Sequence, residues 1–209
     1  MHQSRRWAPL VTGVIAFLVT TVVLGGLVAD WTLRNQEMDA FVTAVEESEA
    51  QMTWAQTSVS LVFDEAEDPA QAADTEAVAA ELRGIGAEGR DRIKAAGEQV
   101  AAVRISPWHQ DLLAARLAYL KHNRAWQAYL DRASRDAAEF ALPQDEVNSS
   151  FLAAEPLFRA ALPPFDGYSL SERVDLIFAE PEPDSGPDSG PTQEALLPAR
   201  GPDLLGQNS

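Results

Sequence analysis

The chain has 209 residues, no cysteine, 13 prolines and a formal net charge of −16, with 46% apolar and 23% charged residues. That length suits one membrane segment plus one modest domain, since domains mostly run to ~100–200 residues. Lack of cysteine excludes a disulfide scaffold, a Cys-ligated metal site and thiol catalysis. The acidic balance argues against nucleic acid and against docking on anionic lipid headgroups, both of which need Lys/Arg clusters.

The first predicted element is apolar. Residues 9–29 (PLVTGVIAFLVTTVVLGGLVA) carry no charge, and a hydrocarbon core ~30 Å thick needs ~20 helical residues. Pro9 suits a first helical turn, and Trp7 and Trp31 bracket the run as interfacial aromatics do. Arg5 and Arg6 precede it, whereas Asp30, Glu37 and Asp39 follow with Arg34. The positive-inside bias then leaves residues 1–8 cytoplasmic and sends the chain beyond Ala29 across the membrane. A cleaved signal peptide is the rival reading, but its apolar core is ~7–15 residues long with small residues at the cleavage site. Leu27-Val28-Ala29 offers only one well-placed small residue, so an uncleaved anchor is expected. Thr21, Gly25 and Ala29 form a four-residue ladder of small side chains that lets membrane helices approach closely. Small residues are also common in membrane helices generally.

From Trp31 to Phe63 neither proline nor glycine interrupts the chain. Met38, Val45, Met52 and Val59 recur every seven residues beside Phe41, Val42, Ala55 and Val62, a helical seam rather than a strand alternation. One helix from Pro9 to about Glu65 would be roughly 85 Å long. Pro69 ends it. A second helix is predicted over Thr75–Ile105, with Val78, Leu82, Ile85, Ile93, Ala96, Val100 and Val103 as its stripe. Gly84, Gly86, Gly89 and Gly97 each weaken it by up to ~1 kcal/mol relative to Ala, so neighbours pack very closely there or the helix is loose.

Ser106-Pro107 reads as an N-cap and first-turn proline opening a third helix that runs to Phe140. Its seam is Leu112, Tyr119, Trp126, Ala133 and Phe140, and Asp131 and Arg135 suit an exposed ion pair. A proline-interrupted helix follows over Asp145–Leu162, and Ser169 with Glu172 forms a capping box for a last short one. The predicted class is therefore all-α, an antiparallel helical bundle over residues 30–179. Residues 180–209 repeat Pro-Asp-Ser-Gly and hold six prolines. This composition predicts a disordered, solubilising tail rather than a proline-motif ligand.

Charge is segregated inside the domain. Between Trp31 and Leu82 stand twelve acidic residues and one basic, a net −11; from Arg83 to Arg135 ten basic face five acidic, a net +5. An acidic first helix beside basic second and third helices would fix neighbour order. The alternative is an anion-binding face of Arg83, Arg90, Arg92, Lys94 and Arg104.

Candidate chemistry rests on polar residues that interrupt the seams. These are Arg116, His122 and Asn123 on the third helix and Glu49 and Gln56 on the first. Such a set can hold a carboxylate or similar small anion, or form a paired polar layer that specifies register. In layout, a membrane-proximal helical bundle with a central Arg resembles the ligand-sensing four-helix domains of bacterial receptors. That resemblance implies a small ligand and a cytoplasmic output. Here the cytoplasmic stub is about eight residues, too short for an output module, so a signalling partner would have to be a separate protein.

Metal binding is not expected. His109 and His122 are thirteen residues apart on one helix, and His2 lies across the membrane from both. The acidic turn Asp64–Asp74 has Pro69 where a calcium loop needs glycine. No nucleophile elbow, phosphate loop, zinc-protease or dinucleotide signature occurs. Paired carboxylates for glycoside chemistry would need a sugar cleft that a narrow bundle lacks. Asn148-Ser149-Ser150 matches a glycosylation sequon, a pattern common by chance. The expectation is a membrane-tethered binding or scaffold protein of an envelope assembly, without cofactor, partnered by another envelope protein or a second copy. A small-anion sensor acting through a transmembrane partner is the alternative.

Overall fold

The computed structural model describes residues 8–67, 75–163 and 169–179, with side chains from residue 17 onward. Among them every regular element is helical: α1 (Ala8–Glu67), α2 (Thr75–Ala102), α3 (Gln110–Ala133), a 3-10 turn (Ala137–Ala141), α4 (Asp145–Ala161) and α5 (Ser169–Ile177). All of these elements lie in one compact unit. The expected cytoplasmic stub and acidic tail fall almost wholly outside the described residues.

α1 has 60 residues, roughly 90 Å at ~1.5 Å per residue. Its N-terminal part is long and apolar enough to cross a membrane, and among the described residues nothing covers it. Thr21, Gly25 and Ala29 all lie on this exposed stretch. The Thr21 hydroxyl donates back to the Phe17 carbonyl at 2.9 Å, and no other side chain comes within 4 Å of where a Gly25 Cβ would stand. Burial begins only at Glu37 and Met38.

Beyond that point the helices pack side by side, α1 on α2, α2 on α3, α3 on α4, with α5 against α1. Most of each predicted seam is buried, while Val59, Val78, Ile85, Val103 and Phe140 are only half-covered. Met38, Phe41, Val42 and Val45 of α1 meet Leu112, Ala115 and Tyr119 of α3, Val100 of α2 and Phe158 of α4 in a first core. Met52, Ile93, Trp126, Tyr129, Leu130 and Val147 form a second. Truncating any of these large side chains to Ala costs ~2–5 kcal/mol.

Three of the four helix-weakening glycines have a packing reason. A Cβ on Gly86 would lie 2.7 Å from the Ser134 amide nitrogen, one on Gly89 3.1 Å from Leu130 Cδ1, and one on Gly97 3.1 Å from Asn123 Nδ2. Around Gly84 there is open space.

Some boundaries differ from expectation. α2 stops at Ala102, and α3 starts at Gln110 because the Ser106 hydroxyl is engaged by Glu37 rather than capping a helix. α3 also ends at Ala133, seven residues before Phe140, which sits in the 3-10 turn capped by Asp136. Charge segregation also plays out differently. Arg83 pairs with Glu76 and Arg92 with Glu88 inside α2, while Arg90 reaches Asp91 and, on α3, Asp131. The acidic face of α1 is instead gripped by Arg173 of α5, 2.5 Å from Asp39 and 2.6 Å from Glu46.

Candidate functional site

Between the two apolar cores lies a layer of buried polar side chains. Tyr119, His122 and Asn123 share one face of α3 at the i, i+3, i+4 spacing that brings helical neighbours together. Ser48 and Glu49 of α1 and Ser150 of α4 face them. Tyr119 hydroxyl donates to Glu49 Oε1 at 2.7 Å, Ser48 Oγ donates to Asn123 Oδ1 at 3.0 Å, and His122 Nδ1 lies 3.1 Å from Ser150 Oγ. Ser150 uses its own proton on the Val147 carbonyl at 2.8 Å, so it accepts from His122, which assigns the Nδ1–H tautomer. The bare Nε2 then faces Glu49 Oε1 across 3.9 Å.

Electrostatics drive this layer toward neutrality. Burial pushes the Glu49 carboxyl up to about 7, with the Tyr119 hydroxyl opposing only in part. Burial takes His122 down to about 4 against a bond to the Val147 carbonyl. The Glu49–His122 approach is therefore not an ion pair in the mildly acidic range; the proton resides on the carboxyl. A quarter of the Glu49 side chain stays exposed, leaving a route for proton exchange with solvent. Asn123 Nδ2 is buried without a hydrogen-bond partner, pressed against Gly97.

Of the five seam residues singled out in the sequence, three meet here: Glu49, His122 and Asn123. Arg116 does not join them, since its guanidinium donates to the Val103 carbonyl at 2.7 Å where α2 ends. Gln56 is exposed and lies further along α1. It borders a depression of about 160 Å³ together with Trp126, Tyr129, Phe140 and Gln144.

A second polar cluster, not anticipated from the sequence, gathers where α1 leaves its apolar segment. His109 is 3% exposed and presents Nδ1 to Glu37 Oε2 at 2.6 Å and Nε2 to Asp30 Oδ1 at 3.3 Å. Both nitrogens thus face carboxylate oxygens. Burial opposes ionisation of Glu37, yet the Ser106 hydroxyl at 2.5 Å, the Ser106 amide at 3.0 Å and His109 together hold its carboxyl below the usual range. Arg34 pairs with Asp111 and donates to the Ala161 carbonyl at 3.0 Å. Burial likewise works against ionisation of Asp111, and Arg34 with the Leu112 amide outweighs it. The only sequence signal for this cluster was the unusual density of charge just after the apolar run.

Among the described residues no three His, Cys, Asp or Glu side chains converge to hold a metal ion. No family model matches the chain, and no curated protein and no solved structure is significantly similar to it.

Proposed function

We propose that the chain is a single-pass membrane protein holding an antiparallel helical bundle on the extracytoplasmic face, where it acts by binding as an accessory or scaffold subunit of an envelope assembly, not by catalysis. The observation that supports this most directly is the continuity of α1. One helix carries both the uncovered apolar segment and the first packed seam, so anchor and domain are a single rigid lever. The two arginines ahead of the apolar run, set against the acidic residues after it, argue for an N-terminus inside. The polar layer between the apolar cores supports a structural role: the Ser48–Asn123 and Tyr119–Glu49 bonds specify which helices pair and in what register. The ladder Thr21, Gly25, Ala29 offers a close-packing edge to a membrane partner or a second copy.

The test is crosslinking in intact cells followed by identification of co-purifying proteins, with a reporter fused at the carboxyl end. A reporter outside the cytoplasm and a reproducible envelope partner are expected. A reporter inside, or a mature chain that begins near residue 30, would overturn the tether. If small anions raised the melting temperature and Arg116→Ala abolished that rise, the ligand-sensing alternative would displace the scaffold reading.

A further inference from the structure

The turn between α2 and α3 returns to the level at which α1 leaves its apolar segment. Asp30 is the first charged residue after the run of residues 9–29. Its Oδ1 accepts a hydrogen bond from Trp108 Nε1 at 2.8 Å and faces His109 Nε2 at 3.3 Å. The turn is pinned there on its other side, because both the amide and the hydroxyl of Ser106 bond Glu37. Trp108 nonetheless remains 62% exposed, with its N–H satisfied and its ring outward. Trp31, the next residue along α1 from Asp30, is itself 42% exposed. Two indoles from separate segments therefore sit at one height, immediately beside the uncovered apolar helix.

An exposed apolar residue ordinarily needs no explanation, and Leu117, Leu152 and Leu176 on the outer helix faces are of that kind. Trp108 differs in two respects: its polar atom is already committed to the residue that borders the apolar run, and beyond one edge contact with the His109 ring its apolar part stands in the open. A ring with one wet end and one greasy face is the chemistry of the headgroup layer.

We infer that the α2–α3 turn is a second membrane contact, with Trp108 seated beside Trp31 in the interfacial layer of the bilayer that α1 spans. This rests on the anchoring reading above. The occupant is the zwitterionic interface itself rather than an anionic lipid, since the contact is aromatic and the domain is acidic. Two attachment points, one helical and one on a turn, hold the domain against the membrane instead of letting it swing on a single tether.

The test uses the full-length chain in phosphatidylcholine vesicles whose acyl chains are brominated near the glycerol end, a short-range quencher of indole fluorescence. In the Trp7→Phe/Trp31→Phe chain, Trp54, Trp108 and Trp126 remain. Trp54 lies 24 residues beyond Asp30 on α1, roughly 36 Å along the helix and out of reach. Brominated lipid is expected to quench a distinct fraction of this emission, and adding Trp108→Phe, with unchanged helical circular dichroism, is expected to abolish that quenching. Should the Trp7→Phe/Trp31→Phe chain escape quenching while a chain that keeps Trp31 is quenched, the turn stands clear of the bilayer; this inference fails and the anchor stands. Failure of both chains to be quenched, with protein that does not float with the vesicles, would remove the anchor as well.

Discussion

Two Glu–His pairs link α1 to the start and the middle of α3, and their carboxyls are pushed in opposite directions. Glu37 with His109 and Glu49 with His122 use the same residue types, roughly 18 Å apart along the same helix. At the first, two donors from Ser106 and one from His109 converge on the carboxylate and keep it ionised. At the second, a single Tyr119 hydroxyl is the close donor, and burial wins. The state of a buried carboxyl is thus decided by how many donors face it, not by whether a histidine is nearby.

The largest consequence concerns the Glu37 carboxylate. Removing it leaves the Ser106 donors unmet, and each hydrogen bond to a charged group contributes ~1.5–3 kcal/mol. Glu37→Ala should therefore destabilise the full chain by about 3 kcal/mol or more in urea unfolding followed by circular dichroism. A loss no greater than that of an exposed carboxylate such as Glu47→Ala would show that the Ser106–His109 cluster carries no weight.

The neutral pair makes a subtler prediction. Glu49 has a folded-state value of about 7, above its ordinary 4.5, so its contribution is fully present at low pH and is lost as pH rises toward 7. His122 has a folded-state value of about 4, below its ordinary 6.5, so its contribution is present above 6.5 and is lost as pH falls toward 4. Between pH ~4.5 and ~6.5 these slopes oppose each other. The folded pair holds one proton on Glu49, and the unfolded pair holds one on His122. The native chain should accordingly show little pH dependence from this layer. Glu49→Gln should unmask stability that rises with pH, and His122→Gln stability that falls with pH, each by up to ~1.4 kcal/mol per pH unit and about 3 kcal/mol in all. Melting curves across that window decide it: equal slopes in both variants would refute the neutral pairing.

How far the sequence foretold this layer depends on what periodicity can encode. The buried seams were legible, as was the apolar segment, because a repeat of seven fixes which face of a helix is covered. Polar residues on those seams pointed to Glu49, His122 and Asn123. The same rule swept in Gln56 and Arg116, each seven residues from a true member, on the same stripe but about 10 Å away along the axis. Periodicity reports the face, not the height. Ser48 drew no attention and Ser150 entered only as part of a glycosylation sequon, because a serine has no periodic signature. The early end of α3 escaped for a different reason: no proline or glycine stands near Ser134, whose backbone instead abuts Gly86 of a neighbouring helix. Tertiary contact overrode local propensity there.

The smallest expected difference sets one serine against another. Ser106 Oγ donates to an ionised carboxylate at 2.5 Å, while Ser150 Oγ accepts from a neutral imidazole at 3.1 Å. Hydrogen bonds to charged groups contribute ~1.5–3 kcal/mol and neutral ones ~0.5–1.5. Ser106→Ala should thus cost about 2 kcal/mol and Ser150→Ala about 1. Their pH responses should separate further. Without the Ser106 hydroxyl, Glu37 ionises less readily, so the loss is full at neutral pH and shrinks as pH falls through the carboxylate range. Without Ser150 the imidazole keeps the Val147 carbonyl as its partner, and the flat profile between pH ~4.5 and ~6.5 should survive. If Ser150→Ala tilted that profile as steeply as Glu49→Gln, the serine rather than burial would be what holds His122 neutral, and the contrast between the two pairs would have to be redrawn around the hydroxyls.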